Sequence, residues 1–325
     1  MKRLSQLATC AAAALLVPAA SGAAETFPSH PLKIVVPQGA GGPGDTNARI
    51  FAEKLGQSTG QPVYIENKPG GSTIIGAESV ARSAPNGYTL LFASVTTLAL
   101  NPSLFPKLSY DPLGDFAPLA MVTSQPFMLV VNAKFPADDV QGLLAQARSK
   151  PGKLTYGSSG TGTSGHVTGA FFASEAGIDI VHVPYKSAGT VQTDLMAGRI
   201  DMAFRAIDGA LLAAIKANQL KVLGTTGVKR SPLLPEVATI AEQGLPRFES
   251  SVWSGFVAPG KTPKDITDSL ASTLLAIAKD PAVRERVAAN GGEATALGPR
   301  AFGELIREET KKWEKVIRSS GATVE

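Results

Sequence analysis

Lys33 to Asp45 reads KIVVPQGAGGPGD, a short strand-like run that passes through a proline into a loop with glycine at positions 39, 41, 42 and 44. A strand that ends in such a loop and is followed by a helix presents unpaired backbone N–H groups at the positive end of the helix. That arrangement attracts carboxylates and phosphates. The chain carries the device twice, because Lys153 to Gly165 reads KLTYGSSGTGTSG. Val63 to Ser72 (VYIENKPGGS) also aligns with Val181 to Thr190 (VHVPYKSAGT), and the segment Phe135 to Val140 aligns with Thr262 to Thr267, each ahead of an apolar helical pattern. Identities are few, so the duplication points to shared topology: two α/β lobes that turn their loops toward one another across a cleft.

Met1 to about Ala24 reads as an export leader. Lys2 and Arg3 supply the charge, Leu7 to Ala20 is apolar but short for a membrane span, and the small residues Ser21 to Ala24 place cleavage near Ala23 or Ala24. The single cysteine, Cys10, lies in this leader ahead of most of the apolar stretch, the wrong order for lipid attachment. The exported chain is thus expected to be thiol-free, which suits an oxidising compartment such as the periplasm. Of the formal charge of +4, two units belong to Lys2 and Arg3, and the remaining basic residues are scattered, with Lys311-Lys312 the densest pair. Such a distribution carries no nucleic-acid footprint. What remains after the leader exceeds the ~250–300 residues that one core usually serves, which favours two domains.

Strand and helix patterns alternate at a pace that predicts a mostly parallel, doubly wound sheet. In the first half, a helix from Thr46 to Gly56, a strand from Val63 to Glu66, a helix from Ile74 to Ala84 and a strand from Tyr88 to Phe92 follow the first loop. Ala117 to Val131 reads as two apolar runs broken at Ser124-Gln125-Pro126 and is the expected crossover between lobes. Residues 231–249, with three prolines, form a long return. Lobe one is then discontinuous, residues 25–124 plus 227–325, and lobe two spans residues 125–226, with two crossing strands as the hinge. Near the C-terminus Phe302, Leu305, Ile306, Trp313, Val316 and Ile317 form a helical stripe that docks on a lobe.

The loop Gly39 to Gly44 satisfies the dinucleotide pattern Gly-x-Gly-x-x-Gly, and Glu66 ends the next strand where a ribose-binding acid is expected. An exported NAD(P)-dependent oxidoreductase is therefore an alternative reading. Against it, the second loop lacks the pattern, Pro43 lacks an N–H, and the leader directs the chain away from the cytoplasmic cofactor pool. No Gly-x-Ser-x-Gly elbow is present, and the three histidines, His30, His166 and His182, are not clustered for metal ligation. His166 is placed either to touch a ligand or to cap its helix. The hydroxyls of Ser94, Thr96, Thr97, Ser158, Ser159, Thr161, Thr163 and Ser164 sit on loops at strand ends, where each can donate to a carboxylate or cap a helix. Many neutral donors with few titratable groups suit reversible anion capture; no catalytic residue, metal or cofactor is expected.

The strings KIVVPQGAGGPGDTNAR, GQPVYIENKPGGSTIIGAESVARSAPNGYTLLFAS, NPSLFPKLSYDPLGDFAPLAMV, PGKLTYGSSGTGTSGH, IVHVPYKSAGTVQTDLMAGRIDMAF and KRSPLLPEVATIAEQGLP occur in order. Together they resemble the extracytoplasmic solute receptors of the tripartite tricarboxylate transporter system, the TctC or Bug family. The resemblance implies the type II periplasmic-binding-protein fold, α/β with two doubly wound lobes around a ligand cleft. It also implies a small carboxylate ligand, delivery to integral-membrane permease subunits, and a monomer; a ligand-sensing receptor without a transport role uses the same cleft. Carried over by position, the first ligand loop covers Pro37 to Asp45, with Gln38, Gly41, Gly42 and Asp45 as site residues. Ser94, Thr96 and Thr97 match the hydroxyl-rich strand exit. Ser158, Thr161, Thr163 and His166 match the second loop, and Tyr185 the Pro-Tyr-Lys motif. The chain departs from the family at Pro43-Gly44, where Ser-Thr is usual, and at Arg205, where aspartate is usual, with Asp208 three residues on. Arg205 either reads a second carboxylate or pairs with Asp208.

Overall fold

β1 (Leu32–Val36) is an apolar run buried along almost its whole length, as expected of a strand covered on both faces. In the computed structural model, which describes residues 27–320, it leads through the first glycine loop into α1 (Pro43–Thr59). The leader and Cys10 lie outside the described residues. α1 starts earlier than its apolar pattern does, because proline fits the first helical position, where an N–H has no intrahelical acceptor. β2 (Val63–Asn67), α2 (Ile74–Ala81) and β3 (Thr89–Ser94) follow, then a π-type turn (Thr96–Leu100) and a short α3 (Asn101–Leu104).

β4 (Phe116–Asn132) is one strand of 17 residues, which corrects the expected break at Ser124-Gln125-Pro126. The second lobe continues with α4 (Val140–Ser149), β5 (Thr155–Ser158), α5 (Ser164–Ala176), β6 (Val181–Pro184), α6 (Ala188–Met196), β7 (Met202–Ala206), α7 (Gly209–Lys216) and β8 (Leu220–Thr225). A return without helix or strand leads to β9 (Ser251–Pro259), and α8 (Lys264–Lys279), α9 (Pro281–Ala289), β10 (Glu293–Leu297) and α10 (Pro299–Ser320) complete the chain. β10 has a weak strand signal of its own. It forms because β4 offers it a partner at Met121, Thr123 and Ser124.

The strand order is β2-β1-β3-β9-β4-β7-β5-β6, with β10 and β8 also on β4. β1 runs parallel to β2 and β3, and β5 parallel to β6 and β7, so each glycine-loop strand is the centre of a parallel trio. Every pairing of β4 or β9 is antiparallel. The mostly parallel sheet expected from local pattern is therefore confined to the trios: a chain that crosses between lobes and later returns runs in opposite directions, and its two crossings pair antiparallel. β4 pairs with β9 up to Pro126 and with β7 from Phe127 onward. Pro126 is tolerated inside this strand because it sits where the partner changes.

One apolar cluster runs through both lobes, joining Leu91 and Leu98 in the first to Phe172 and Phe204 in the second, with Trp313 and Ile317 of α10 among its members. Phe171 of α5 meets Trp313 edge-on with ring centroids 5.8 Å apart, and the Lys312 ammonium lies 5.4 Å from the Phe171 ring centre. The C-terminal stripe thus docks across both lobes rather than on one, and the Trp313 indole N–H is satisfied by Glu309 at 2.8 Å.

Candidate functional site

The first turns of α1 and α5 meet across a cleft of about 260 Å³, with Pro43 and Gly44 on one wall and Ser164 and Gly165 on the other. Both helices begin at extended residues, Gly42 and Thr163, that provide no side-chain cap. Thr163 turns its hydroxyl back to the Gly160 carbonyl at 2.7 Å. The two helices share this with α2, α3 and α8, whereas α4, α6, α7 and α9 are capped by Asp139, Ser187, Asp208 and Asp280. The helices behind the two glycine loops are left open toward the cleft, where their dipoles favour negative charge.

The first loop is held from behind by a charged network. Asp45 is almost fully buried and accepts from the Gly41 N–H, Arg49 Nε and Asn67 Nδ2, each at 2.9 Å. Burial raises its pKa, but the hydrogen bonds from Arg49, Gly41 and Asn67 outweigh this and leave it below the usual carboxylate value. Gly41 has φ of +82°, a conformation that L side chains rarely adopt. The structure places Gly41, Gly42 and Asp45 outside the cleft lining, and the Gly41 N–H is committed to Asp45. Gln38 does line the cleft, its amide lying so close to Gly44 that a Cβ there collides with it.

The second loop is held by stacked imidazoles. His166 Nδ1 accepts the Gly162 N–H at 3.0 Å, and the His166 and His182 rings stack with centroids 3.8 Å apart. His182 Nε2 lies 2.7 Å from the Ser158 hydroxyl, which also donates to the Gly160 carbonyl at 2.9 Å. Burial lowers both histidines to about 4, with the neighbouring ring adding to the effect on His182, so both are neutral at pH 7. Ser158 lines the cleft, whereas His166 buttresses the loop from behind, Thr161 is exposed, and Tyr185 donates to Asp194 at 2.9 Å away from the cleft lining.

Arg205 leaves the end of β7 and lines the cleft although only 6% of it is exposed. It donates to Gln192 Oε1 and, at 2.8 Å, to Asp208 Oδ2, while Asp208 Oδ1 caps α7 at Leu211 N, 2.7 Å away. Burial pushes the guanidinium pKa down from its ordinary value and Asp208 opposes that. Arg205 is therefore paired with Asp208 and Gln192, and of its five N–H groups three are used by neither partner. Arg205 and Asp208 are the ionisable side chains of the lining.

The expected strand-exit hydroxyls are mostly drawn into the protein. Thr97 donates to Thr73 Oγ1 at 3.0 Å within a buried set that includes Asn101 and Tyr110, and Thr96 is half-buried at the start of the π-type turn. None of Ser94, Thr96 and Thr97 belongs to the cleft lining. Its floor comes from the crossing strands, which supply Thr123, Gln125 and Ser254, and from Asn47 of α1; sequence reasoning missed all four. Gln125 Nε2 donates to Ile207 O at 3.0 Å and to Asn290 O at 2.9 Å, tying the second lobe to the end of α9 at the crossing. The polar break that interrupts the apolar runs at Ser124-Gln125-Pro126 was its only local signal. Among the described residues, no cluster of histidine, cysteine, aspartate and glutamate is arranged to hold a metal ion.

Two doubly wound α/β lobes joined by crossing strands around an anion-attracting cleft define the type II periplasmic-binding-protein class. The chain belongs to the tripartite tricarboxylate transporter family receptors, whose pattern matches residues 47–322. It is 37% identical over 294 residues, 90% of this chain and 87% of the relative, to the UPF0065 protein in the tcbD-tcbE intergenic region of Pseudomonas sp. strain P51. It is 34% identical to protein BugT of Bordetella pertussis over 94% of this chain and 93% of that one. Among solved structures, a protein of R. palustris with adipate superposes with a TM-score of 0.81 at 31% identity, covering 92% of this chain and all of that one. MatC from Rhodopseudomonas palustris, with bound malate, does so with 0.76 at 30% identity, over 90% of this chain and all of MatC. The family and these neighbours are solute-binding receptors rather than enzymes. Among the described residues no helix is long and apolar enough to cross a membrane.

Proposed function

We propose that this protein is exported to the periplasm, closes its lobes on a small organic carboxylate without transforming it, and hands it to integral-membrane permease subunits as a monomer. Residues 25–124 with 227–325 move as one lobe and residues 125–226 as the other, hinged where β4 changes partner. The observation that carries the reading is the convergence on one cleft of two open helix N-termini with the buried cation Arg205. One carboxylate fits between the helix ends, and Arg205 favours a ligand with a second carboxylate, as in the adipate and malate held by the two relatives. Thermal unfolding of the exported chain with di-, tri- and monocarboxylates, aromatic acids and NAD tests this. A hundredfold excess of ligand over its dissociation constant stabilises by about 2.7 kcal/mol. Stabilisation by carboxylates supports the receptor; stabilisation by NAD and by no carboxylate favours the oxidoreductase suggested by Gly39 to Gly44.

A further inference from the structure

The cleft wall holds a carboxylate of its own beside its guanidinium. Asp208 caps α7 with one oxygen, Oδ1 accepting from Leu211 N at 2.7 Å, and this grip sets the other oxygen, Oδ2, 2.8 Å from Arg205 Nη2. The Arg205 side chain is 6% exposed, whereas that of Asp208 keeps 37% of its surface in contact with solvent. Gln192 accepts from the other Nη of the guanidinium and donates to Ala210 O at 3.1 Å, so a neutral amide fixes the fork from the α6 side.

A capping aspartate with a cation on its second oxygen is not by itself a sign of function. Asp280 has the same arrangement outside the cleft lining, Oδ1 accepting from Ala282 N at 2.8 Å and Oδ2 from Lys54 Nζ at 2.9 Å. What separates Asp208 is that the cation it occupies is buried in the wall of an anion site. A buried charge without a partner is strongly destabilising, and in the ligand-free protein Asp208 is that partner.

The consequence falls on ligands with a second carboxylate. A ligand carboxylate that joins Asp208 on Nη2 has its oxygen within about 6 Å of Oδ2, since each lies a hydrogen bond's length from the same nitrogen. Like charges that close repel, the more so in a site partly closed to water. A ligand carboxylate that displaces Asp208 exchanges one carboxylate partner of Arg205 for another, and the gain is only the difference between the two. A ligand with one carboxylate, held by the helix ends, engages neither.

We propose that Asp208 stands in for the ligand's second carboxylate in the empty protein and sets the affinity for dicarboxylates by competing for Arg205. This rests on the reading of the cleft as a carboxylate site and adds the residue that decides how strongly Arg205 counts. On exchange, Oδ2 turns to the solvent that already reaches this side chain, while Oδ1 keeps α7 capped. Asp208 is thus a specificity residue that holds dicarboxylate binding down and keeps the empty site stable.

Asp208→Asn and Asp208→Ser test it, because asparagine and serine cap a helix as aspartate does and carry no charge. Calorimetric titration compares acids of matched length: succinate with butyrate, glutarate and tricarballylate with valerate, adipate with hexanoate, and terephthalate with benzoate. In both variants the di- or tricarboxylate that binds is expected to bind about tenfold tighter than it does to the wild type, and the matched monocarboxylate to change less than about threefold. The ligand-free melting temperature is expected to fall, because Arg205 has lost its charged partner. Affinity and stability then move in opposite directions, whereas both fall together if Asp208 only holds Arg205 in place. Weaker or unchanged dicarboxylate binding in the folded variants, or equal tightening for both members of a pair, overturns the proposal and leaves the carboxylate receptor standing. If the wild type binds no acid of the panel, the carboxylate reading is overturned and this inference with it.

Discussion

The two glycine loops present the same backbone device to one cleft and are braced by different chemistry. Behind the first stands a charged network, Asp45 with Arg49 and Asn67; behind the second, two neutral stacked imidazoles, His166 and His182. The lobes differ on the cleft side in the opposite sense. The first contributes neutral groups, Gln38 and Asn47, whereas the second contributes the charge, Arg205 with Asp208. An anion site therefore does not require charge on both walls, because open helix ends attract an anion as well. The bracing behind each loop sets how that loop responds to pH.

The largest effect is expected from removing the charged wall. Arg205→Ala should weaken binding of a dicarboxylate by about 2–5 kcal/mol, the usual loss when a buried charge loses its partner. A monocarboxylate that rests on the helix ends should lose far less. Titration of both ligands checks this, and equal losses mean that Arg205 serves only to hold Asp208 and Gln192 in place.

Next comes the imidazole stack. The folded pKa values of His166 and His182, about 4, lie below the ordinary 6.5, so between these limits the unfolded chain binds protons that the folded chain does not. Their contribution is complete above about pH 6.5 and is lost as pH falls toward 4, on the order of 3 kcal/mol per ring before the screening that solvent gives the partly exposed His182. Urea unfolding at pH 7 and pH 4 should show this loss in the wild type and a smaller one in His166→Gln/His182→Gln, whose amides do not titrate. Identical pH profiles sink the assignment.

The charged brace is worth less and has the later acid limit. Asp45→Ala strips partners from the Gly41 N–H, Arg49 and Asn67 and should cost about 1–3 kcal/mol of stability. The depressed pKa of Asp45 means that its stabilisation is present above the ordinary carboxylate pKa and lost only as pH falls through the lower folded value. Loss of Asp45-dependent stability already at pH 6 would contradict this. The smallest change is Gly41→Ala: nothing lies within 4 Å of the added Cβ, so the cost is the backbone strain at φ +82°, about 1–2 kcal/mol. A neutral effect on melting temperature would show that the loop can turn without that conformation.

Local pattern accounts for much of what is seen. The strand–loop–helix units at Lys33 and Lys153, the alternation that follows each, and the amphipathic stripe of α10 were legible because each rests on periodicity or turn chemistry within about a dozen residues. Arg205 stood out in a different way, as a departure from the family pattern, and it lines the cleft. Ser94, Thr96 and Thr97 looked equally exposed at a strand exit, yet Thr97 is consumed by Thr73 and none of the three lines the cleft.

The remainder was decided by contacts between segments far apart in the chain. β10 exists because β4 gives it a partner; β4 is unbroken because its partner changes at Pro126 and Phe127; and α10 bridges the lobes because Phe171 of α5 meets Trp313. The cleft floor brings together Asn47, Thr123 and Ser254 from a helix and two crossing strands, and Gln125 ties Ile207 to Asn290. Sequence by itself determined the two repeated units and the ends that attract an anion, since those follow from backbone geometry that neighbouring residues dictate. Which neutral side chains line the cleft was settled only by tertiary structure, because register between strands and the facing of lobes depend on pairings that no local window contains.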